Sequence, residues 1–165
     1  MSRSEIWCRA AAPDDLTAIT GLLRGAYPDS QAADLTPQLP SFTVAVADEQ
    51  IAGYGKLRHF TGLPGVPDGH YLGGVVVGPQ WRRRGIGTSL TTHRIQAAWV
   101  AGADTVYYFA NSRNEASIAM HLGFGFRELQ RPFAFPGVTF TGGEGVLFGL
   151  THPLPDQPRI SFDQT

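Results

Sequence analysis

A chain of 165 residues, 42% of them hydrophobic, is long enough to bury a core without disulfide or metal staples and leaves no room for a second domain of ordinary size. Thirteen Lys and Arg against fourteen Asp and Glu give a formal net charge of -1, which argues against a broad nucleic-acid or membrane surface, since both need excess positive charge. The single cysteine, Cys8, excludes an internal disulfide framework and a cysteine-rich zinc site, and no apolar run reaches the length of a signal peptide or a membrane span, so a cytoplasmic protein is expected.

Residues 5–11 read as a short strand. Pro13, Asp14 and Asp15 then open a helix in which Leu16, Ile19, Leu22, Leu23 and Ala26 recur at helical spacing, and the early acids suit the helix dipole. Over residues 27–40 the pattern weakens. Pro28, Pro37 and Pro40 interrupt what reads as one short helix, and this loop-rich stretch is expected to border a pocket. Phe42, Val44 and Val46 alternate with smaller residues, Asp48, Glu49 and Gln50 turn the chain, and residues 51–60 return as the second arm of an antiparallel hairpin. A loop over residues 61–69 leads into a strand ending at Val77. Gly73 and Gly74 lie inside that strand, where paired glycines mark a bulge or a close approach of ligand to backbone.

A helix over residues 87–100 carries Ile86, Leu90 and Ala97 along one side and stops at Gly102, with His93 read as an edge or core histidine. Residues 106–110 form a β-branched and aromatic strand, and residues 114–122 a further helix ended by Gly123 and Gly125. Residues 127–134 and 144–150 read as closing strands, joined by a connection that carries Phe135 and Phe140. Residues 1–152 are taken as one domain and 153–165 as a C-terminal tail. This mixture points to a central sheet with helices on both faces.

Chemistry concentrates in residues 75–90, VVVGPQWRRRGIGTSL: a buried strand, a turn and a helix start. Three guanidinium groups and two glycines in seven positions, at a helix N-terminus whose amides lack partners, compose an anion cradle. Gly85 is not followed by the lysine and hydroxyl residue of a P-loop. Arginines also stand where a dinucleotide fingerprint needs small residues. The segment VVVGPQWRRRGIG instead resembles the strand, proline turn and R/Q-x-x-G-x-G pyrophosphate loop of the GNAT superfamily of N-acetyltransferases. NEASIAMHLGFGF, residues 114–126, is similar to that family's second motif. There an asparagine is followed seven residues later by a hydroxyl or histidine side chain and then by a Gly-Phe pair, here Gly125 and Phe126, and histidine in place of the usual tyrosine resembles phosphinothricin acetyltransferase-like members. Seven residues are two helical turns, so Asn114 and His121 project from one face. The resemblance covers roughly residues 3–151.

The resemblance implies an α/β (α+β) fold with a mixed, mostly antiparallel central sheet of about seven strands flanked by helices, strands 4 and 5 splayed. It implies transfer of an acetyl group from acetyl-CoA to a primary amine of a small molecule or peptide by direct attack; the alternative is a non-catalytic acyl-CoA-binding regulatory module. The pyrophosphate would rest on the amides of Arg83, Arg84, Gly85, Ile86, Gly87 and Thr88, with the side chains of Arg82, Arg83 and Arg84 contacting phosphates or steering the anion. Val75 and Val77 would pair with the pantetheine arm, and Asn114 would hydrogen-bond it. His121 stands at the proton donor's position. For the base, His70 is the candidate carried forward, with Asp68, Glu128 and Glu144 as alternatives and a water chain needing none of them. No metal is expected, a homodimer stays open, and acceptor choice should depend on residues 27–40 and 133–140.

Overall fold

The structure is a computed structural model that describes residues 5–30 and 34–152; the expected C-terminal tail lies outside the described residues. The strands are β1 (Ile6–Ala10), β2 (Phe42–Ala47), β3 (Gln50–Phe60), β4 (Gly69–Val77), β5 (Thr105–Asn111), β6 (Arg127–Gln130) and β7 (Gly145–Thr151), all but the exposed β6 built on apolar runs. The helices are α1 (Leu16–Ala26), α2 (Ile86–Val100) and α3 (Glu115–Gly123). Strand order is β1-β2-β3-β4-β5-β7-β6, and every pairing is antiparallel except β4 with β5. The expected mixed seven-stranded sheet is therefore present, with helices on both faces. No helix among the described residues is long and apolar enough to cross a membrane.

Local chemistry explains the boundaries. Asp48 and Glu49 both take positive φ, 49° and 62°, which lets a two-residue turn match the twist of the β2–β3 hairpin. Asp15 is buried at the start of α1 and accepts both Arg9 guanidinium N–H groups, at 2.6 and 2.9 Å, and the Ala12 amide at 2.7 Å. Among the described residues of 27–40, the expected helix is present as a 3₁₀ turn, Thr36–Ser41, where prolines remove donors. The strand expected over residues 127–134 stops at Gln130, since Pro132 has no N–H for the ladder.

The sheet has two unlike faces. One carries Tyr54 and Val76 under α1, with Ile19, Phe42 and Val44, and continues into an aromatic layer of Tyr71, Phe133, Phe60, Phe109 and Phe135. The other packs Leu72, Val106, Tyr108 and Phe148 against Ile95 and Ala98 of α2, with Ile118 of α3 and Phe126 completing the cluster. The buried stripe of α2 runs through Ile86, Leu90, Arg94 and Ala98, with the expected Ala97 at its half-buried margin.

Strand parity locates the bulge. Tyr71 and Val76 face the same side although they stand five positions apart, an odd spacing that a regular strand forbids. The register accounts for it. Gly55 lies opposite Val75 and Leu57 opposite Leu72, so Lys56 alone faces both Gly73 and Gly74. At Gly73 a Cβ would come within 2.9 Å of Lys56 Cβ, so the crossing is open to glycine alone without displacement.

Candidate active site

The parallel seam between β4 and β5 closes over three positions only: His70 with Val106, Tyr71 with Tyr107, and Leu72 with Tyr108. Beyond the bulge, residues 73–77 stay with β3 and residues 109–111 stay with β7. The expected splay of strands 4 and 5 thus exists as a wedge inside the sheet, with two strand edges facing it. Val75 and Val77 lie on the β4 edge, half-buried against the α2 side.

At the mouth of the wedge, Gly78 and Pro79 turn the chain and Trp81 is buried as an anchor. Arg82, Arg83, Arg84 and Gly85 are exposed, and Arg83 and Gly85 take positive φ of 64° and 81°. No side chain caps α2. Its first backbone bond runs from the Ser89 amide to the Gly85 carbonyl at 3.0 Å, so the amides of Ile86, Gly87 and Thr88 have no backbone acceptor. A Cβ at Gly85 or Gly87 would meet nothing within 4 Å, which leaves open space above these amides. The guanidinium of Arg84 sits over the Trp81 ring, 5.3 Å from its centroid, so the three arginines do not converge on one point.

Across the wedge, Asn114 occupies the N-cap of α3 but its side chain makes no cap bond and is exposed. One and two turns on come Ser117 and His121. His121 is buried and lies face to face on Tyr108, ring centroids 3.5 Å apart, with its edge to Phe126. Its Nδ1–H donates to the Ser117 carbonyl at 2.8 Å, which assigns the tautomer and leaves Nε2 as the acceptor. Nε2 has no hydrogen-bond partner among the described residues and is not fully sealed from solvent. Burial pushes the imidazole down to about 4, with the Arg94 charge acting in the same direction and the Ser117 bond opposing both. The Tyr108 and Ser117 hydroxyls are hydrogen-bonded to each other beside it.

A family model described as the Acetyltransferase (GNAT) family matches residues 12–126, well over half of the chain. The chain belongs to the GNAT acetyltransferase family. Comparison with curated protein sequences gives no match. Among solved structures, this GNAT chain is similar to the ribosomal-protein-alanine N-acetyltransferase of Brucella melitensis (22% identity, TM-score 0.68, 88% of this chain and 99% of that one). It is also similar to a GNAT-family acetyltransferase of Bacillus cereus (16%, TM-score 0.72, 91% and 99%). A Salmonella typhimurium protein solved with its cofactor acetyl-CoA aligns at 21% identity and a TM-score of 0.68, over 92% and 98% of the two chains. At these identities the likeness establishes the shared fold.

Not every residue expected in the GNAT site is brought to the wedge. His70 lies in the closed half of the seam, four residues before Gly74, its ring 4.6 Å from that of His59 on the neighbouring strand. Burial first, and His59 second, hold it below the ordinary histidine value. Glu128 and Glu144 are engaged with Arg131, and Asp68 accepts the Gly62 amide. Among the described residues no three His, Cys, Asp or Glu side chains gather as a metal site.

One residue escaped the sequence reading. Arg94 is completely buried on α2, directly behind the bulge. Its Nη1 donates to the Lys56 carbonyl at 2.8 Å and to the Gly73 carbonyl at 2.9 Å, its Nε to the Leu90 carbonyl at 3.1 Å, and its Nη2 to the Thr91 hydroxyl at 3.3 Å. Desolvation lowers the guanidinium to about 10, so it stays charged at neutral pH without a carboxylate in salt-bridge range among the described residues. The signal was available. A charged residue four positions after Leu90 and four before Ala98 sits on the buried stripe of α2.

Proposed function

We propose that this chain moves an acetyl group from acetyl-CoA to a primary amine of a small molecule or peptide by direct attack of the amine. The observation that carries this reading is the wedge itself: a strand edge with no partner among the described residues, leading from an uncapped helix N-terminus to a bulge beside a buried histidine. Acetyl-CoA supplies the thioester carbonyl and the thiolate leaving group. The chain supplies the rest. The amides of residues 83–88 and the guanidinium groups of Arg82 and Arg83 hold the diphosphate, Arg84 lending charge from its seat on Trp81. The edge at Val75 and Val77 pairs with the pantetheine amides as an added strand pairs with a sheet, and the uncommitted Asn114 side chain bonds them from the other wall.

His121 is neutral at physiological pH, so it has no spare proton at the start. Its open Nε2 acts first as an acceptor. It takes the proton that nitrogen sheds as the N–C bond forms, and gives it to sulfur as the C–S bond breaks, while Nδ1–H on Ser117 holds the ring still. Donor and base are then one group in sequence, and His70, placed in the closed seam, takes part in proton uptake only by way of solvent.

The test is acetyl-CoA-dependent thiol release over amino acids, polyamines, aminoglycosides and peptide N-termini. At least one class should accelerate release; saturable acetyl-CoA binding with no amine-dependent release would leave the regulatory-module reading instead. For the cradle, replacing Arg82 and Arg83 together by alanine should weaken acetyl-CoA binding about tenfold or more, with a shallower salt dependence than the parent by calorimetry.

A further inference from the structure

On the face of the sheet opposite His121, Tyr54, Lys56, Arg58 and Phe60 follow one another along β3. Lys56 stands opposite the bulge and Arg58 opposite Tyr71, so both cations lie beside the apex of the wedge. They converge on one neutral atom. Lys56 Nζ and Arg58 Nη2 both donate to Gln38 Oε1, at 3.1 and 3.0 Å. No carboxylate lies in salt-bridge range of either among the described residues. Burial, then the Arg58 charge, depress the Lys56 ammonium, whose other neighbour is the Phe42 ring, 5.3 Å from its centroid.

Two like charges held together by a single amide oxygen, half out of water, form an arrangement that an anion would stabilise. Gln38 belongs to the 3₁₀ turn in the stretch expected to border the acceptor, and Phe60, Tyr71, Phe109 and Phe135 provide an aromatic wall on the same face. We infer that Lys56 and Arg58, with Gln38 as their spacer, form an anion subsite that selects acceptor amines carrying a carboxylate. The inference rests on the acetyltransferase reading for the amine, while the subsite itself is judged by binding alone. One strand step is about 3.4 Å, so a carboxylate held here lies within a few bonds of an amine reacting at the bulge.

The experiment has two arms. With CoA saturating the arginine cradle, N-acetylglycine is titrated while the side-chain amide signal of Gln38 is followed by NMR. A saturable shift that is lost in Arg58→Gln and kept in Arg58→Lys supports the subsite; no shift, or an equal shift in Arg58→Gln, overturns it whatever the activity. In the kinetic arm, amino acids are compared with their primary amides and with aminoalkylphosphonates of equal length. The carboxylate form should be preferred by about tenfold or more in kcat/KM, and the preference should collapse in Arg58→Gln. Equal rates for acid and amide overturn the selection of carboxylate-bearing acceptors, and a phosphonate preferred over the carboxylate overturns the carboxylate assignment. A saturable Gln38 shift with no amine acetylated at all retires the acetyltransferase reading and leaves the anion site standing.

Discussion

Replacing His121 by phenylalanine is expected to lower kcat by about 100-fold or more while acetyl-CoA binding stays near the parent value. Phenylalanine keeps a flat ring against Tyr108, slightly larger than the imidazole, and removes both nitrogen atoms and the bond to Ser117, so most of the packing is kept while the proton chemistry is lost. Unchanged turnover on the best acceptor would remove His121 from the chemistry. The same substitution changes the acid stability of the fold. In the unfolded chain a histidine titrates near its ordinary value, whereas in the fold His121 is pushed down to about 4. Its folded-state value is depressed, so the unfolded chain binds the extra proton. The associated stability is complete above about pH 6.5 and is lost progressively as pH falls towards 4, by roughly 3 kcal/mol in all. Denaturant melts at pH 7.5 and 4.5 should therefore diverge more for the parent than for His121→Phe. The comparison isolates this residue from His70 and His93, whose values are depressed in the same direction. Identical pH dependence in the two proteins would mean that the imidazole is not desolvated.

Replacing Arg94 by alanine should destabilise the protein by about 3 to 5 kcal/mol, lowering the melting temperature by roughly 10 °C. The loss has two parts. A large buried side chain leaves a void, and the carbonyls of Lys56 and Gly73 lose the donor that joins β3 to β4 at the bulge. Arg94→Met separates these parts, because it nearly fills the volume and also removes a charge that was costly to bury. It should lose clearly less stability than the alanine variant. If the methionine and alanine variants melt together, packing is irrelevant there and the hydrogen bonds carry the whole effect. An alanine variant as stable as the parent would show that the guanidinium contributes nothing net.

Much of this was legible in the sequence because it was written in local signals. The alternation of Phe42, Val44 and Val46, the turn at Asp48 and the glycine-arginine helix start all depend on neighbours within a few residues. The GNAT resemblance supplied the splay. What was hidden depends on pairs distant in the chain. That Gly73 and Gly74 share one partner is visible only once Leu57 and Gly55 fix the register. The protonation of His121 follows from Tyr108 and Phe126 closing around it, not from its place in a motif. Arg94 shows its partners only through carbonyls 38 and 21 positions away, and Gln38 meets Lys56 and Arg58 across 18 and 20 positions. The end of β6 at Gln130, by contrast, has a local signal in Pro132, which brings no N–H to a ladder.

The three-position seam between β4 and β5 has a mechanical meaning. A sheet normally resists opening through the sum of its ladder bonds, yet here the four-stranded and three-stranded halves share only that short parallel run. Their further coupling comes from side chains: on one face Ile95 and Ala98 of α2 pack in one cluster with residues of β4, β5 and β7, and on the other Phe60 and Tyr71 pack with Tyr107, Phe109 and Phe135. Backbone protons along residues 73–77 that point into the wedge are consequently expected to exchange with solvent faster than those of the interior strand β3, although they sit near the middle of the molecule. A pantetheine arm laid along that edge would behave as an eighth strand. Slowing of exchange there, spreading to the far wall at residues 109–111, would report the two halves being riveted into one body by the molecule they process.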